Sequence, residues 1–325
     1  MGLRGIHFGS YWMGCNDVVF LMARDLAELC EVHIIDTGLY SPELSGWFEV
    51  DGSRNSRRPI RWLDHERVMG VVREAEADFI VVNSGGMSIR PETAEALRAA
   101  RVVTVGISLS DPDVYQDHGA AYAHLYNFYY TNSLFSLENH YVGHPNIRWL
   151  PFAASPALHR PLSDVEQIYD VVVVGHARPD RLQVVRELKR HFSVGLFGEG
   201  WGEDVRSVHG EDHVRAINSG RMYLSFPATV AGYMNLKVGL LEAAACRVCL
   251  LSQSFPELER FFRPGMEIAL YRESGELIKA VRYYLSAPHL CEWLAENSYQ
   301  RFLAEHTWGY RWRGVLNDIR RCKLG

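Results

Sequence analysis

Several short segments are apolar at nearly every position instead of alternating with polar residues, and this pattern constrains the fold most. In the first half of the chain, 79–83 reads FIVVN and 102–107 reads VVTVGI. In the second half, 170–175 reads DVVVVG. A strand with one face in water alternates polar and apolar residues, so uninterrupted apolar strands are buried on both faces. The sequence therefore predicts parallel sheets covered by helices on both sides.

The order strand, loop, helix occurs in two cycles along 325 residues, a length sufficient for about two domains. A polar, proline-containing segment at 156–164 separates the cycles. We predict an α/β protein with two Rossmann-like domains, 1–160 and 161–325, that face a central cleft. The last helix, about 306–321, is expected to pack back on the first domain. Ligands of such sheets bind at the carboxyl ends of the strands.

The composition excludes several classes of protein. Hydrophobic residues make up 47% and charged residues 22%, as in a folded globular protein. With 34 basic and 39 acidic residues the net charge is −5, which does not attract a phosphate backbone, so no nucleic-acid partner is expected. The N-terminus lacks the apolar core of a signal peptide, and the apolar stretch 238–251 is too short to span a bilayer. We expect a cytoplasmic protein without a membrane span, and the sequence leaves its oligomeric state open.

The loop that begins at Gly175 is a candidate anion site. It lies between a predicted strand and a predicted helix, where a glycine lets backbone N–H groups approach an anion. The N-terminus of the following helix adds a partial positive charge. Arg178 and Arg181 follow and can make bidentate contacts to phosphate. The alternative interpretation is an ordinary turn with solvated arginines.

A second candidate loop is 232–243, with the sequence GYMNLKVGLLEA. Lys237 lies in the first turn of a helix predicted over 235–245, where a lysine opposes the helix dipole unless an anion is present. Glu242 lies in an otherwise apolar run, and a buried carboxylate costs several kcal/mol unless it finds partners. Sugar hydroxyls are the expected partners, and an arginine in a structural pair is the alternative. A third, weaker candidate is the glycine turn 198–201.

Two patterns resemble metal motifs without meeting their spacing or place. The segment 209–213 reads HGEDH, but Glu211 is not where the HExxH motif has its glutamate, so we interpret the segment as a solvated loop. Asp111 and Asp113 have DxD spacing but belong to the first domain, and we interpret them as a turn. The sequence therefore predicts no metal site.

The order and spacing of several short motifs resemble those of the group-1 glycosyltransferases, which have the GT-B architecture, and most closely their CgeB/YkvP-like branch. The motifs are PNIRWLPFA at 145–153, HRP at 159–161, NLKV at 235–238, LEAAAC at 241–246, ELERFFRPG at 257–265 and HTWGYR at 306–311.

The resemblance implies transfer of a sugar from a UDP, GDP or TDP sugar to a small-molecule or natural-product acceptor, with retained configuration and with neither a metal nor another cofactor. It implies catalytic roles for Arg181 and Lys237, which would neutralise the diphosphate leaving group. Glu242 would bind ribose hydroxyls. The other donor-site residues are Gly175, Arg178, Gly198, Gly200, Tyr233 and Asn235. The acceptor candidates, in the first domain, are Ser10, Tyr11, Trp12, Asp111 and Tyr115.

The chain departs from the family pattern at two positions. Met234 stands where the family has the first glutamate of its E-x7-E motif, and Arg247 stands where the family has a glycine. The first departure favours one alternative, a non-catalytic GT-B-like protein that binds a sugar nucleotide or has a structural role. Another alternative is a sugar-nucleotide epimerase, which requires acid–base carboxylates and histidines at the donor.

Overall fold

The computed structural model describes residues 2–11, 17–38, 46–51, 59–83, 86–203 and 205–324. The chain divides into two compact units, the first comprising Met1–Pro151 with Trp308–Gly325 and the second Phe152–Thr307. The boundary expected at residue 160 therefore lies inside the second unit. The C-terminal helix belongs to the first unit.

A parallel sheet forms the centre of the first unit. The strands of this unit are β1 (Arg4–Gly9), β2 (Glu31–Asp36), β3 (Phe48–Val50), β4 (Arg61–Leu63), β5 (Phe79–Asn83), β6 (Met87–Ser88), β7 (Val103–Ser108), β8 (Phe128–Thr131) and β9 (Ile147–Trp149). Among the described residues the main sheet has the order β2-β1-β5-β7-β8-β9 with parallel pairing throughout. The central strands β5 and β7 are buried at every position, as their apolar sequences predict.

Helices connect these strands. They are α1 (Val18–Ala27), α2 (His65–Glu74), α3 (Pro91–Ala99), α4 (Ala120–Tyr122) and α5 (Leu134–Asn139), with a π-helical turn at Tyr115–Gly119 and a 3₁₀ turn at Ala123–Leu125. The sequence predicts Asn16 or Asp17 as the cap of α1, and Asp17 is the N-cap residue, whose carboxylate accepts a hydrogen bond from the Phe20 amide at 2.7 Å. Such a cap satisfies one of the amides that have no partner inside the helix.

A small second sheet in this unit was not expected from the sequence. The segment 37–61 is predicted as an extended loop, but β3 and the beginning of β4 lie within it and pair antiparallel. β4 pairs in parallel with β6, which gives the order β3-β4-β6. Strands of two or three residues are too short to show a period of two, so the sequence pattern does not reveal them.

The second unit is also built on a parallel sheet. Its elements are β10 (Tyr169–Val174), α6 (Pro179–Lys189), β11 (Val194–Phe197), α7 (Gly210–Asn218), β12 (Gly220–Ser225), α8 (Val238–Ala245), β13 (Cys249–Gln253), β14 (Ala269–Tyr271), α9 (Ser274–Ser286) and α10 (Pro288–Glu305), with a 3₁₀ turn at Pro256–Arg260. The described strands have the order β11-β10-β12-β13-β14 and pair in parallel. The carboxyl ends of β11, β10 and β12 therefore lie side by side.

The C-terminal helix α11 (Trp308–Leu324) packs in the first unit. Trp312 is 1% exposed, and its indole Nε1 donates a hydrogen bond to the Met22 carbonyl at 2.8 Å. Lys323 forms an ion pair with Asp78. None of the helices in the described ranges combines the length and the hydrophobicity that a bilayer span requires.

The substitution Trp312→Ala should lower the free energy of unfolding by about 3 to 5 kcal/mol, because it opens a cavity and leaves the Met22 carbonyl without its donor. Chemical denaturation followed by tryptophan fluorescence and circular dichroism measures the change. Tyr310→Ala on the same helix is the control, since Tyr310 is 46% exposed. Equal effects of the two substitutions would contradict this packing of α11.

Candidate functional site

A cavity of about 480 Å³ lies at the carboxyl edge of the second unit's sheet. The ends of β10, β11 and β12 line it together with the beginnings of α6 and α8. Its size falls within the range of small-molecule sites. The cavity brings together six residues predicted from separate loops, namely Gly175, Arg178, Arg181, Gly198, Lys237 and Glu242.

Two glycine turns meet backbone to backbone at this cavity. Gly175 and Gly198 have φ angles of +137° and +127°, which L side chains rarely adopt. A Cβ atom on Gly198 would lie 2.4 Å from the Gly175 carbonyl oxygen. The Gly175 amide donates to the Phe197 carbonyl at 2.8 Å. Position 198 therefore requires glycine for this close approach, and position 175 requires it for its backbone angle.

Arg181 brings a positive charge to the cavity that its protein neighbours compensate poorly. Its Nη1 donates to the His176 carbonyl at 2.8 Å, and its guanidinium lies 5.3 Å from the centre of the Phe226 ring. Its Nε is buried and has no hydrogen-bond partner among the described residues. Burial, followed by the charge of Arg178, lowers the pKa of Arg181. A guanidinium remains charged despite such a shift, so a bound anion would be stabilised here.

Arg178 differs from Arg181 because it already has an acidic partner. Its Nε and Nη2 donate to the two carboxylate oxygens of Asp180 at 3.1 and 2.8 Å. This hydrogen-bonded contact lowers the pKa of Asp180. Arg178 lines the cavity, but Asp180 balances its charge.

Lys237 is the N-cap residue of α8, so the helix begins after the predicted first residue, Asn235. Its Nζ donates to the Asn235 side-chain carbonyl oxygen at 2.5 Å. Asn235 is 5% exposed and does not line the cavity, so its contribution is to hold the Lys237 side chain in place. The ammonium group therefore lies near the positive end of α8, where an anion would stabilise both charges.

Gly200 and Tyr233, two further residues predicted for this site, also lie outside the described lining of the cavity. The Tyr233 amide donates to Thr229 Oγ1 at 3.1 Å in the loop before α8. Gly200 has a φ of +82°, and the preceding carbonyl, of Glu199, accepts from the Ala177 amide at 2.8 Å. Both residues therefore belong to loops that shape the cavity.

Two histidines are the partners of Glu242, where the sequence suggested sugar hydroxyls or an arginine. His213 Nε2 lies 3.0 Å from Oε2, and His159 Nε2 lies 3.5 Å from Oε1. Burial favours the neutral form of the carboxyl, but the charges of His159 and His213 outweigh burial and lower the Glu242 pKa to about 2. Glu242 is therefore ionised at neutral pH.

The interpretation of 209–213 as a solvated loop is wrong. α7 begins at Gly210, and both His209 and His213 line the cavity. A histidine N-cap followed by glycine gives none of the usual signals of a helix start, which explains the error. One feature of the sequence could have indicated the helix, namely the spacing of four residues between the two histidines, which is typical of neighbours on one helix.

Among the described residues, Glu242 and its two histidine partners form a group that could hold a metal ion. One ligand atom from each of His159, His213 and Glu242 lies within 4.8 Å of the other two. Two imidazoles and a carboxylate suit zinc and similar divalent metals. The sequence predicts no metal site, and that expectation stays a prediction.

Ser10 and Tyr11, predicted for the acceptor, follow β1 in the first unit and are both buried. Ser10 Oγ lies 2.9 Å from Thr37 Oγ1, and Tyr11 is 8% exposed with its hydroxyl 3.2 Å from His7 Nδ1. Trp12 lies outside the described residues. Because both residues directly follow β1, they lie at the carboxyl edge of the sheet.

Asp111 and Tyr115 follow β7, at the same edge of that sheet. Asp111 is 2% exposed, and its Oδ2 accepts hydrogen bonds from the hydroxyls of Thr131 and Tyr141 at 2.7 and 3.0 Å. Burial raises its pKa despite these contacts. The Tyr115 hydroxyl donates to the His140 carbonyl at 3.2 Å. Asp111 and Tyr115 thus bond within the unit.

Comparison with known proteins supports the fold. Residues 178–317 match a protein-family model described as "Glycosyl transferase-like". This region contains Arg178, Arg181, Lys237 and Glu242. No curated protein sequence matches the chain significantly.

Three similar solved structures cover nearly the whole chain. Sucrose-phosphate synthase from Thermosynechococcus elongatus is 13% identical with a TM-score of 0.60, covering 98% of each chain. A glycosyltransferase from Rickettsia africae is 9% identical with a TM-score of 0.61, covering 99% of this chain and 98% of that one. HepE from Anabaena, in complex with UDP and glucose, is 13% identical with a TM-score of 0.60, covering 98% of this chain and 100% of that one. The predicted GT-B fold is confirmed, and the CgeB/YkvP-like branch stays a prediction.

The substitution His213→Ala should lower the free energy of unfolding by about 2 kcal/mol, because it leaves the buried Glu242 carboxylate with one histidine fewer. The matched control is His191→Ala, since His191 also contacts a glutamate, Glu187, at 3.3 Å but on the exposed surface. Its effect should stay within about 0.5 kcal/mol. Urea denaturation at pH 7 measures both, and equal values would contradict the structural importance of the buried pair.

Proposed function

We propose that this protein transfers a sugar from a nucleoside-diphosphate sugar to an acceptor, and that the donor binds in the cavity of the second unit. The observation that carries the proposal is the poorly compensated charge of Arg181 at a cavity that Lys237 and two glycine turns also line. The family match over 178–317 and the bound UDP of HepE support the same assignment.

The reaction breaks the bond between the anomeric carbon of the sugar and an oxygen of the diphosphate, and forms a bond from that carbon to the acceptor nucleophile, whose proton passes to the departing diphosphate. Negative charge develops on the departing diphosphate, and positive charge develops on the sugar ring. Arg181 and Lys237 would stabilise the first charge, and both are held in place, by the His176 carbonyl and by Asn235. Because the cations are fixed before the reaction, little reorganisation accompanies bond breaking.

The resemblance to group-1 enzymes supports further parts of the proposal. We propose a retaining reaction without a metal on the diphosphate, because two protein cations already face that position. We propose a small-molecule or natural-product acceptor that binds the first unit near Ser10, Tyr11, Asp111 and Tyr115. The proposed location is the cytoplasm.

A second candidate, a sugar-nucleotide epimerase, gains support from one observation. This activity requires histidines and carboxylates at the donor, and the sequence did not place them. His209, His213 and Glu242 line the same cavity. Isomerisation of the donor sugar without any acceptor, detected by NMR, would favour this candidate over transfer.

The substitutions Arg181→Ala and Lys237→Ala should each weaken donor binding and turnover by about 2 kcal/mol or more, because each removes a cation from the diphosphate. Steady-state kinetics and calorimetry measure the losses. Arg186→Ala and Lys189→Ala are matched controls, since both residues are exposed on α6. Near-normal kinetics in both cavity variants would exclude this site.

Screening by thermal shift against UDP, GDP and TDP, with their sugars, identifies the donor base. A nucleotide that binds the folded state should raise the melting temperature by mass action. Release of the diphosphate in the presence of an acceptor supports the transferase. Binding without turnover or isomerisation supports the non-catalytic alternative that Met234 favours.

Treatment with EDTA followed by dialysis should leave donor binding and turnover unchanged, because Arg181 and Lys237 perform the charge stabilisation that a metal would otherwise supply. Elemental analysis of the purified protein is the parallel measurement. Loss of turnover that zinc or another divalent metal restores would contradict metal independence and direct attention to His159, His213 and Glu242.

A further inference from the structure

Two histidines and a glutamate from three separate elements converge on one point of the second unit. His159 lies in the segment before β10, His213 on α7 and Glu242 on α8. His213 Nε2 lies 3.0 Å from Glu242 Oε2, and His159 Nε2 lies 3.5 Å from Oε1. One ligand atom from each residue lies within 4.8 Å of the other two. The fold thus brings three metal-ligating side chains together from distant parts of the chain.

The separations of these atoms suit a tetrahedral zinc ion. Zinc binds imidazole nitrogen and carboxylate oxygen at about 2.0 to 2.2 Å, which places neighbouring ligand atoms about 3.4 Å apart. The two nitrogen-to-oxygen separations, 3.0 and 3.5 Å, lie on either side of that value. An ion between the three residues therefore requires only small adjustments of their side chains.

Burial holds the three side chains in place before any ion arrives. Their exposed fractions are 3% for His159, 12% for Glu242 and 23% for His213. Because folding has already ordered these side chains, they lose little conformational entropy when they bind an ion. His213 and Glu242 line the cavity of about 480 Å³, through which an ion can reach them. The cavity also leaves room for a water molecule as the fourth ligand.

The donor atoms indicate which ion the cluster takes. Two of the three residues contribute an imidazole nitrogen. Imidazole suits zinc and neighbouring transition metals, whereas calcium and magnesium prefer sites made of oxygen atoms. The cluster therefore favours zinc over magnesium, the ion that commonly accompanies phosphates.

We propose that His159, His213 and Glu242 bind a zinc ion that joins the segment before β10 to α7 and α8. This differs from the expectation of no metal site, which rested in part on the spacing within 209–213. That segment does not form an HExxH motif, but the structure joins His213 to two ligands from outside the segment.

The ion goes beyond the proposed function and is separate from the charge stabilisation at the donor. Arg181 and Lys237 are the proposed partners of the diphosphate, so transfer does not require a metal there. Zinc should instead stabilise the folded protein, because the unfolded chain lacks the assembled site. The metal-free protein keeps its histidine–glutamate contacts and stays folded. Removal of the ion should therefore lower the melting temperature and leave turnover unchanged.

Isothermal calorimetry tests the site on the full chain without an added histidine tag, after treatment with EDTA and dialysis. A single zinc ion should bind with a Kd of about 1 μM or lower, and magnesium should give no saturable heat. Zinc at about 100 times its Kd should raise the melting temperature by about 3 °C.

Titration of the same unaltered protein with cobalt(II) identifies the ligands without depending on the folding of any variant. A tetrahedral cobalt ion absorbs strongly in the visible range, and a thiolate ligand adds a band in the near ultraviolet. The spectrum should show the visible bands without the thiolate band, because the donor atoms are nitrogen and oxygen.

Single substitutions locate the ion. Glu242→Gln keeps the shape of the side chain but removes its charge, and His213→Ala and His159→Ala each remove one imidazole. Each substitution should weaken zinc binding at least about tenfold. His176→Ala is the matched control, since His176 lines the same cavity and lies 3.6 Å from Glu199 but is 63% exposed. Its zinc affinity should equal that of the unaltered protein, and circular dichroism verifies that every variant is folded.

The outcomes are distinguishable from those of the proposed function, because zinc is titrated without any nucleotide. Absence of saturable zinc binding, or a thiolate band in the cobalt spectrum, would overturn the inference. An unchanged zinc affinity in Glu242→Gln and His213→Ala, or an equal loss in His176→Ala, would also overturn it, since either result places the ion elsewhere. Zinc binding by a chain that binds no nucleoside diphosphate would support the inference and overturn the proposed function alone.

Discussion

The site depends on positive charge held in a half-buried cavity without an equal amount of acidic charge from the protein. Arg181 lies over Phe226 and donates a hydrogen bond to a carbonyl, while the nearby Asp180 accepts hydrogen bonds from Arg178. Lys237 adds an ammonium at the N-terminus of α8. The buried Arg181 guanidinium, whose Nε has no hydrogen-bond partner among the described residues, costs stability in the free protein, and an anionic ligand offsets that cost when it binds.

The sheet explains why these groups meet. Parallel strands β11, β10 and β12 end at one edge, and each is followed by a loop that faces the same space. Glycines at 175 and 198 let two of these loops touch. Glu242 adds a negative charge to the same cavity. A ligand with a diphosphate at one end and hydroxyl donors at the other matches this division.

Much of the fold follows from the sequence, because short apolar runs such as FIVVN and DVVVVG, bounded by loop residues, are typical of strands buried on both faces. The sequence also indicated that the glycine loops, Arg181 and Lys237 would lie close together, because they follow such strands or precede a helix, and they line one cavity. The pairing of Glu242 with His213 and His159 was not predictable. The three residues are far apart in the chain, and a histidine-capped helix start conceals the place of His213. The strands β3, β4 and β6 were not predictable either, because strands of two or three residues are too short to show a period of two.

A crystal structure of the protein with a bound nucleoside diphosphate tests most directly whether Arg181 and Lys237 form the donor site. The diphosphate should lie within hydrogen-bond distance of the Arg181 guanidinium and the Lys237 ammonium, at the turns of Gly175 and Gly198. A nucleotide bound outside this cavity, or a diphosphate that contacts neither cation, would contradict this assignment.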